Sequence, residues 1–399
     1  GEYLGSARGV GYLILQAEGT FDVNTVFAGI VVLTAFALVL DGVDLQKAVI
    51  DVLAHPTVAS KRFLITIGDR SVGGLTHRDQ MVGPWQIPVA DCAVTLADFK
   101  GFAGEAMAMG ERTPLASWNP AASGRMAVAE TITNLLAAPM TLEKVKLSAN
   151  WMAACGEPGE DAALYETVKA VGMELCPALN ISIPVGKDSL SMRAQWQGQS
   201  GAQQKVVSPV SCIISGFVAL DDVRGTLTPQ LQAEDSSLIL VDLGHGKNRL
   251  AGSVLTQCLQ QEGQEVPDLS SADDLKNLVT AINALRPNIL AYHDRSDGGL
   301  LACVAEMAFA GQTGVALNVD MLLAQGDGVS DSRLDTGDAK NWATQIAARR
   351  QEATLQALFS EELGVVIQVA QSQRDASIQT LREHGLGVCS HVIGRVAAG

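Results

Sequence analysis

Apolar and polar positions along this chain switch between two periods from about Leu45 onward. Short apolar runs, four to eight residues long and bounded by Gly, Asp or Pro, predict strands. Longer runs with apolar positions three and four apart predict helices. "RFLITIGD" (Arg62 to Asp69) predicts a strand entering the polar glycine loop "GDRSVGG", and "IPVADCAVTLAD" (Ile87 to Asp98) predicts a second strand. "AASGRMAVAETITNLLAAPM" predicts a helix from Ala121 to Met140, ended by Pro139. "GEDAALYETVKAVGMELCPAL" predicts another over Gly159 to Leu179, with acids in its first turn where the helix dipole favours them. "ISIPVGKDSLSMRAQW" and "VVSPVSCIISGFVAL" read as strands.

After "DDVRGTLTPQL" the pattern restarts. "SLILVDLG" predicts a strand, "DLKNLVTAINALR" a helix, "NILAYHD" a strand and "GGLLACVAEMAFAG" a helix. The strand "ELGVVIQVA", the helix "RDASIQTLREHG" and the strand "CSHVIGRVA" complete it. The expectation is two α/β (α+β) domains joined near residue 225: residues 44–225, then 226–399 with a polar surface insertion at 325–351. Residues 1–43 carry no usable motif and stay unassigned.

Composition narrows the function classes. The chain has 399 residues, 47% of them hydrophobic and 18% charged, so disorder is excluded. Acids outnumber bases 43 to 28, giving a net charge of −15. That excludes nucleic acid and anionic membrane as expected partners. The uncharged run Val26 to Leu40 is 15 residues long, short of the roughly 20 needed to span a bilayer. Seven cysteines, odd in number, widely spaced and without a C-x-x-C pair, predict reduced thiols in a cytoplasmic protein.

Three acids stand where acids are expensive. Glu130 lies on the small-residue apolar helix, four positions before Asn134 and on the same face. Asp91 interrupts an apolar strand, and Asp294 ends the strand "NILAY". A buried carboxylate needs a partner, so for Glu130 a structural ion pair and a bound cation both stay open. Asp, Glu, Asn and Asp are oxygen ligands, a set that suits Mg²⁺ with phosphate oxygens completing the shell. In "YHDRSDGGLLA", Gly298 and Gly299 open a helix, where free N–H groups can receive phosphate. A plain turn capped by Asp297 is the equal alternative. Lys61 and Lys187 are phosphate-contacting candidates or ordinary surface lysines, and "GHGKNRLAGS" (Gly244 to Ser253) is a further phosphate-loop candidate without G-x-G-x-x-G spacing. His77 and His293 read as satisfied structural histidines, and no nucleophile elbow is present.

The motifs "GDRSVGGLTHRDQMVGPWQIPVADCAVT", "AETITN", "KLSANWMAACGEPGEDAALYETVKAVG", "IPVGKDSLSM" and "AYHDRSDGGLLACVAEMAFAG" together resemble phosphoribosylformylglycinamidine synthase. This is the large, single-chain formylglycinamide ribonucleotide amidotransferase. The resemblance runs over roughly residues 45 to 399 outside the insertion, and is to the second of that family's two synthetase-like halves. It implies an aminoimidazole-ribonucleotide-synthetase-like N-terminal domain that pairs across a pseudo-dimer, followed by a ferredoxin-like C-terminal α/β domain. The implied reaction converts formylglycinamide ribonucleotide, ATP, glutamine and water to formylglycinamidine ribonucleotide, ADP, phosphate and glutamate. Carried over residue by residue, the resemblance puts Mg²⁺ on Asp91, Glu130, Asn134 and Asp294, and the ATP or ADP nucleotide on Lys61, Ala90 and Ser296. The family's first half and its glutaminase domain are the expected partners, and self-association is expected in their place. Two alternatives remain: a non-catalytic ADP-binding scaffold, and a stand-alone synthetase of the same superfamily.

Overall fold

The computed structural model describes residues 40, 42–68, 70, 73–323 and 350–397. Two short helices come first, α1 (Leu45–Ala54) and α2 (Arg62–Ile67). The first sheet contains β1 (Thr76–Arg78), β2 (Ala93–Leu96), β3 (Gly104–Glu111), β4 (Lys146–Met152), β5 (Ser182–Ser189) and β8 (Ser211–Leu220). Its order is β1-β2-β3-β8-β4-β5, antiparallel except for β4 beside β5. A separate exposed hairpin is formed by β6 (Arg193–Gln197) and β7 (Gln203–Val207).

Helix α3 (Pro120–Leu135) lies on this sheet. Asn119 starts it by accepting from Ala122 N, with Pro120 at the first helical position. Its close approach depends on Gly110 and Gly216. A Cβ on Gly216 would stand 2.5 Å from Thr131 Cγ2, and one on Gly110 would collide with Ala127 O and Thr131 N. Helix α4 (Glu160–Val168) runs on through a π-helical stretch, Lys169–Leu175, into Cys176–Leu179, so the single helix expected there is present.

The second sheet is β9 (Ser236–Asp242), β10 (Ile289–Arg295), β11 (Gly314–Leu317), β12 (Gly364–Ala370) and β13 (Ser390–Ala397), in the order β10-β12-β9-β13-β11 with every neighbour antiparallel. Helices α5 (Val254–Leu259), α6 (Ala272–Leu285), α7 (Gly299–Gly311) and α8 (Arg374–Glu383) accompany it. Every residue of β9 is buried. Ile239 and Val241 join the large core that also holds Met126 and Ile132 of α3. Leu238 and Leu240 turn to a second core with Leu300 and Met307 of α7. A sheet covered on both faces writes its strands as continuous apolar runs, which is why these strands are readable.

Several expectations need correction. "RFLITI" is helix α2, not a strand, and none of its residues is buried; Asp69 lies outside the described residues. A six-residue apolar run has no periodicity that separates the two states. "IPVADCAVTLAD" is a strand only over Ala93–Leu96, so Asp91 stands in the loop just before it. "ISIPVGKDSLSMRAQW" is two strands, β5 and β6, rather than one. The insertion at 325–351 lies outside the described residues except Arg350 and Gln351, which are helical, and the apolar run Val26 to Leu40 lies outside them except for Leu40. Among the described residues no helix is long and apolar enough to cross a membrane.

Candidate nucleotide and metal site

The end of β10 meets the loop before β2. Asp91 Oδ1 accepts from Asp294 N at 3.0 Å and from His293 Nδ1 at 2.8 Å. His293 Nε2 is 2.8 Å from Glu306 Oε2 on α7. Candidate ligand atoms of Asp91, His293 and Asp294 all lie within 4.8 Å of one another. Both imidazole nitrogens are already engaged, however, so the atoms free to hold a cation are oxygens. Oδ2 of Asp91 and Oδ2 of Asp294 are buried without a hydrogen-bond partner among the described residues. Unpartnered carboxylate oxygens on two residues of one such cluster fit a hard cation such as Mg²⁺.

Electrostatics agree. Burial, and then the neighbouring Asp91 carboxylate, push Asp294 well above its usual range. Burial alone would strip His293 of its proton, but Asp91 and Glu306 outweigh it and raise its pKa well above the ordinary value. The carboxylates around His293 thus favour its protonated form, while burial and Asp91 work against a charged Asp294.

Helix α3 brings Glu130 alongside, with Asn134 one turn further on, and both are tethered to β3. Glu130 Oε2 accepts from Glu111 N at 2.7 Å, and Oε1 accepts from the Ser296 hydroxyl. Asn134 Nδ2 donates to Met109 O at 3.0 Å. Burial drives Glu130 up to about 7, against the pull of Arg112. Thus Asp91 and Asp294 offer free oxygens, whereas Glu130 and Ser296 spend theirs on each other.

A second ring of charge is missed in the sequence. Arg112, 3% exposed, reaches Glu361 Oε2 at 2.6 Å, Asp297 Oδ1 at 3.4 Å and Glu130 Oε1 at 4.0 Å. Glu361 also accepts from Gly298 N at 2.8 Å and from Val254 N at 2.9 Å, and burial pushes it up to about 7 despite Arg112. The opening N–H of the "DGG" turn is therefore held by a protein carboxylate. Gly298, not Asp297, caps α7. Gly299 has φ +71°, and a Cβ there would stand 2.7 Å from Phe359 C, so close packing requires this glycine. The doubled acid in "LFSEELGVV" is the sequence signal for Glu361 and Glu362.

The remaining candidates separate. Ala90 and Asp91 line a cavity of about 350 Å³ with Arg78, Gln86, Thr228 and Gln230. Lys61 Nζ donates to Thr57 O at 3.1 Å and to Ala59 O, outside the acidic cluster's hydrogen bonds. Lys187 is exposed and bonded to Ser189 Oγ at 2.7 Å. In "GHGKNRLAGS", Gly244 N and Gly246 N point at Asp242, so this loop already encloses an anion of its own.

Residues 60–219 match the family described as FGAR-AT PurM_N-like domain, and residues 235–399 match AIR synthase related protein, C-terminal domain. Among solved structures, T. maritima PurL complexed with FGAR is 12% identical, with a TM-score of 0.52 over 88% of this chain and 49% of that chain. T. maritima PurL complexed with ATP is 10% identical, with a TM-score of 0.52 over 89% and 48%. The protein tt0281 from Thermus thermophilus is 17% identical, with a TM-score of 0.52 over 85% and 94%. This chain spans less than half the length of the PurL chains, and at these identities the likeness is one of fold. The two domain matches, in this order and on this fold, make the chain a member of the AIR-synthase-like superfamily.

Proposed function

We propose that this chain is a Mg²⁺–nucleotide-binding part of an ATP-dependent C–N ligase of purine synthesis, phosphoribosylformylglycinamidine synthase (EC 6.3.5.3). The observation that carries the reading is the pair of buried, unpartnered oxygens on Asp91 and Asp294. Asp91 and Asp294 would hold the metal directly, and Asn134 would add its amide oxygen; Glu130 would join from α3 by giving up the hydrogen bond it takes from Ser296. Ala90, on the wall of the cavity, and Ser296 would contact the nucleotide, as would Lys61 once it leaves its backbone carbonyls. ATP and ADP complexes of PurL support a nucleotide in this fold. When bound, the metal neutralises phosphate charge. In the complete ligase, the substrate amide oxygen takes a phosphoryl group from ATP, and ammonia from glutamine then displaces phosphate to give the amidine.

The domain division at about residue 225, with residues 44–225 preceding it, belongs to the same proposal. So do a cytoplasmic location, supported by seven cysteines without a disulfide, and pairing through the first sheet. The outward side of that sheet exposes Met109 and Phe217, a face on which the ligase's other half, or a second copy, would pack. A holding role for the nucleotide has its own support. Glu130 and Asp294 are buried where the two sheets meet, so a ligand there would stabilise the fold by linkage.

Calorimetric titration of ADP with and without Mg²⁺ tests the proposal. Binding is expected to require Mg²⁺ and to weaken about 100-fold in Asp294→Asn. Equal affinity in that variant would sink the assignment. ADP retained through purification, with no turnover on adding formylglycinamide ribonucleotide and ammonia, would select the holding role.

A further inference from the structure

The metal-site residues come from two separately built parts of the molecule: Glu130 and Asn134 from α3, Asp294 from β10. One residue from each of these elements joins them beside the site. Tyr292 is fully buried, and its hydroxyl donates to Thr133 O at 2.6 Å. Tyr292 lies two residues before Asp294, on the same face of β10. Thr133 lies three residues after Glu130, one turn along α3.

The end of α3 is held from the same side. Arg286, between α6 and β10, donates to Leu136 O at 2.7 Å, Ala137 O at 2.8 Å, Ala138 O at 2.9 Å and Gly225 O at 3.2 Å. Asn283 supports it, accepting from Arg286 Nη2 at 3.0 Å and donating to Met140 O at 2.9 Å. This guanidinium makes no ion pair with a carboxylate among the described residues. Its counter-charge is the cluster of carbonyls just past a helix C-terminus.

We propose that Tyr292 and Arg286 are positioning residues for the metal site, fixing α3 against β10 and so setting the separation of Glu130 and Asn134 from Asp91 and Asp294. Neither side chain touches the cation. The inference rests on the magnesium–nucleotide reading above.

The test uses the full chain with Mn²⁺ as the probe, in the presence of ADP, followed by electron paramagnetic resonance of the free ion. Tyr292→Phe removes one oxygen and keeps the ring; Arg286→Lys keeps the charge and loses the fork. Each variant is expected to bind Mn²⁺ about tenfold more weakly at a temperature where circular dichroism shows it folded. Tyr165→Phe, an exposed tyrosine on α4, is expected to match the wild type. A purely structural role would lower the melting temperature and leave Mn²⁺ affinity unchanged in the folded variants, which would overturn the inference. If Arg286→Lys does not fold, Tyr292→Phe decides alone. A wild-type chain that takes up no Mn²⁺ overturns the underlying metal reading, whereas wild-type uptake with equal affinity in the variants overturns only the positioning role.

Discussion

Two aspartates lie at the ends of two parallel strands of the same sheet, Asp242 last on β9 and Asp294 next to last on β10, with β12 between them. Each is buried, and each is followed by a glycine-bearing turn. Their surroundings are opposite. Asp242 is ion-paired with Arg295 and accepts from Gly244 N at 3.0 Å and Gly246 N at 2.7 Å. Burial alone would raise its pKa, but Arg295 and these amides outweigh it and hold the carboxyl below the usual range. Asp294 has an unpartnered oxygen and a carboxylate neighbour, and is pushed well above that range. A satisfied buried acid fixes structure; an unsatisfied one stores a demand that a ligand can meet.

Disrupting the sealed end should cost most. Arg295→Met leaves Asp242 buried and unpaired, and is expected to destabilise the protein by about 3–5 kcal/mol in urea unfolding. Nucleotide affinity of the remaining folded protein should hardly move. Asp294→Asn should do the reverse. It removes a charge that repels Asp91, so the metal-free protein is expected to gain on the order of 1 kcal/mol in the same measurement while losing Mg²⁺-dependent ADP binding. If Asp294→Asn destabilises as strongly as Arg295→Met, the contrast between the two ends is wrong.

The pH dependence probes the same contrast. Glu130 and Glu361, ordinarily near 4.5, sit at about 7 in the fold. Folded protein therefore keeps protons that the unfolded chain has released. Their stabilising effect is fully present below the unfolded value and is lost as pH rises through about 7. His293, held protonated above its usual value, acts in the same direction at higher pH. Asp242 has the opposite sign: its contribution is lost as pH falls through its depressed value. Without divalent metal, stability should fall by on the order of 5 kcal/mol between about pH 5 and about pH 8, roughly half from each carboxyl. Mg²⁺ with ADP should flatten that slope, and a metal-free melting temperature that rises over this range would contradict it. The smallest effect is expected for Lys61→Ala, whose ammonium already bonds two backbone carbonyls. ADP affinity should fall by about twofold to fivefold with unchanged stability; a 100-fold loss would place Lys61 firmly on the phosphates.

Legibility follows burial symmetry. The strands β9, β10 and β12 stand out as apolar runs because both their faces are covered. Strand β3, "GEAMAMGE", does not, because its inward positions are Ala106, Ala108 and Gly110, kept small so that α3 can approach. The Asp91, Glu130 and Asp294 candidates are visible as acids inside apolar stretches. Arg112 is not, since "GERTP" reads as an ordinary polar turn and only the fold surrounds it with Glu361, Asp297 and Glu130.

Residue order alone dictates which side chains must find partners, because an acid in an apolar run carries its desolvation cost wherever it is placed. It also dictates the two-part α/β layout, since period and burial are written in the order of side chains. Which of those demands are met is settled by the packed fold. Glu130 finds Glu111 N and Ser296, Asp242 finds Arg295, and Asp91 and Asp294 each keep an oxygen with no partner among the described residues. Those pairings join residues 19 to 166 positions apart along the chain, and no local pattern encodes a distance across the fold.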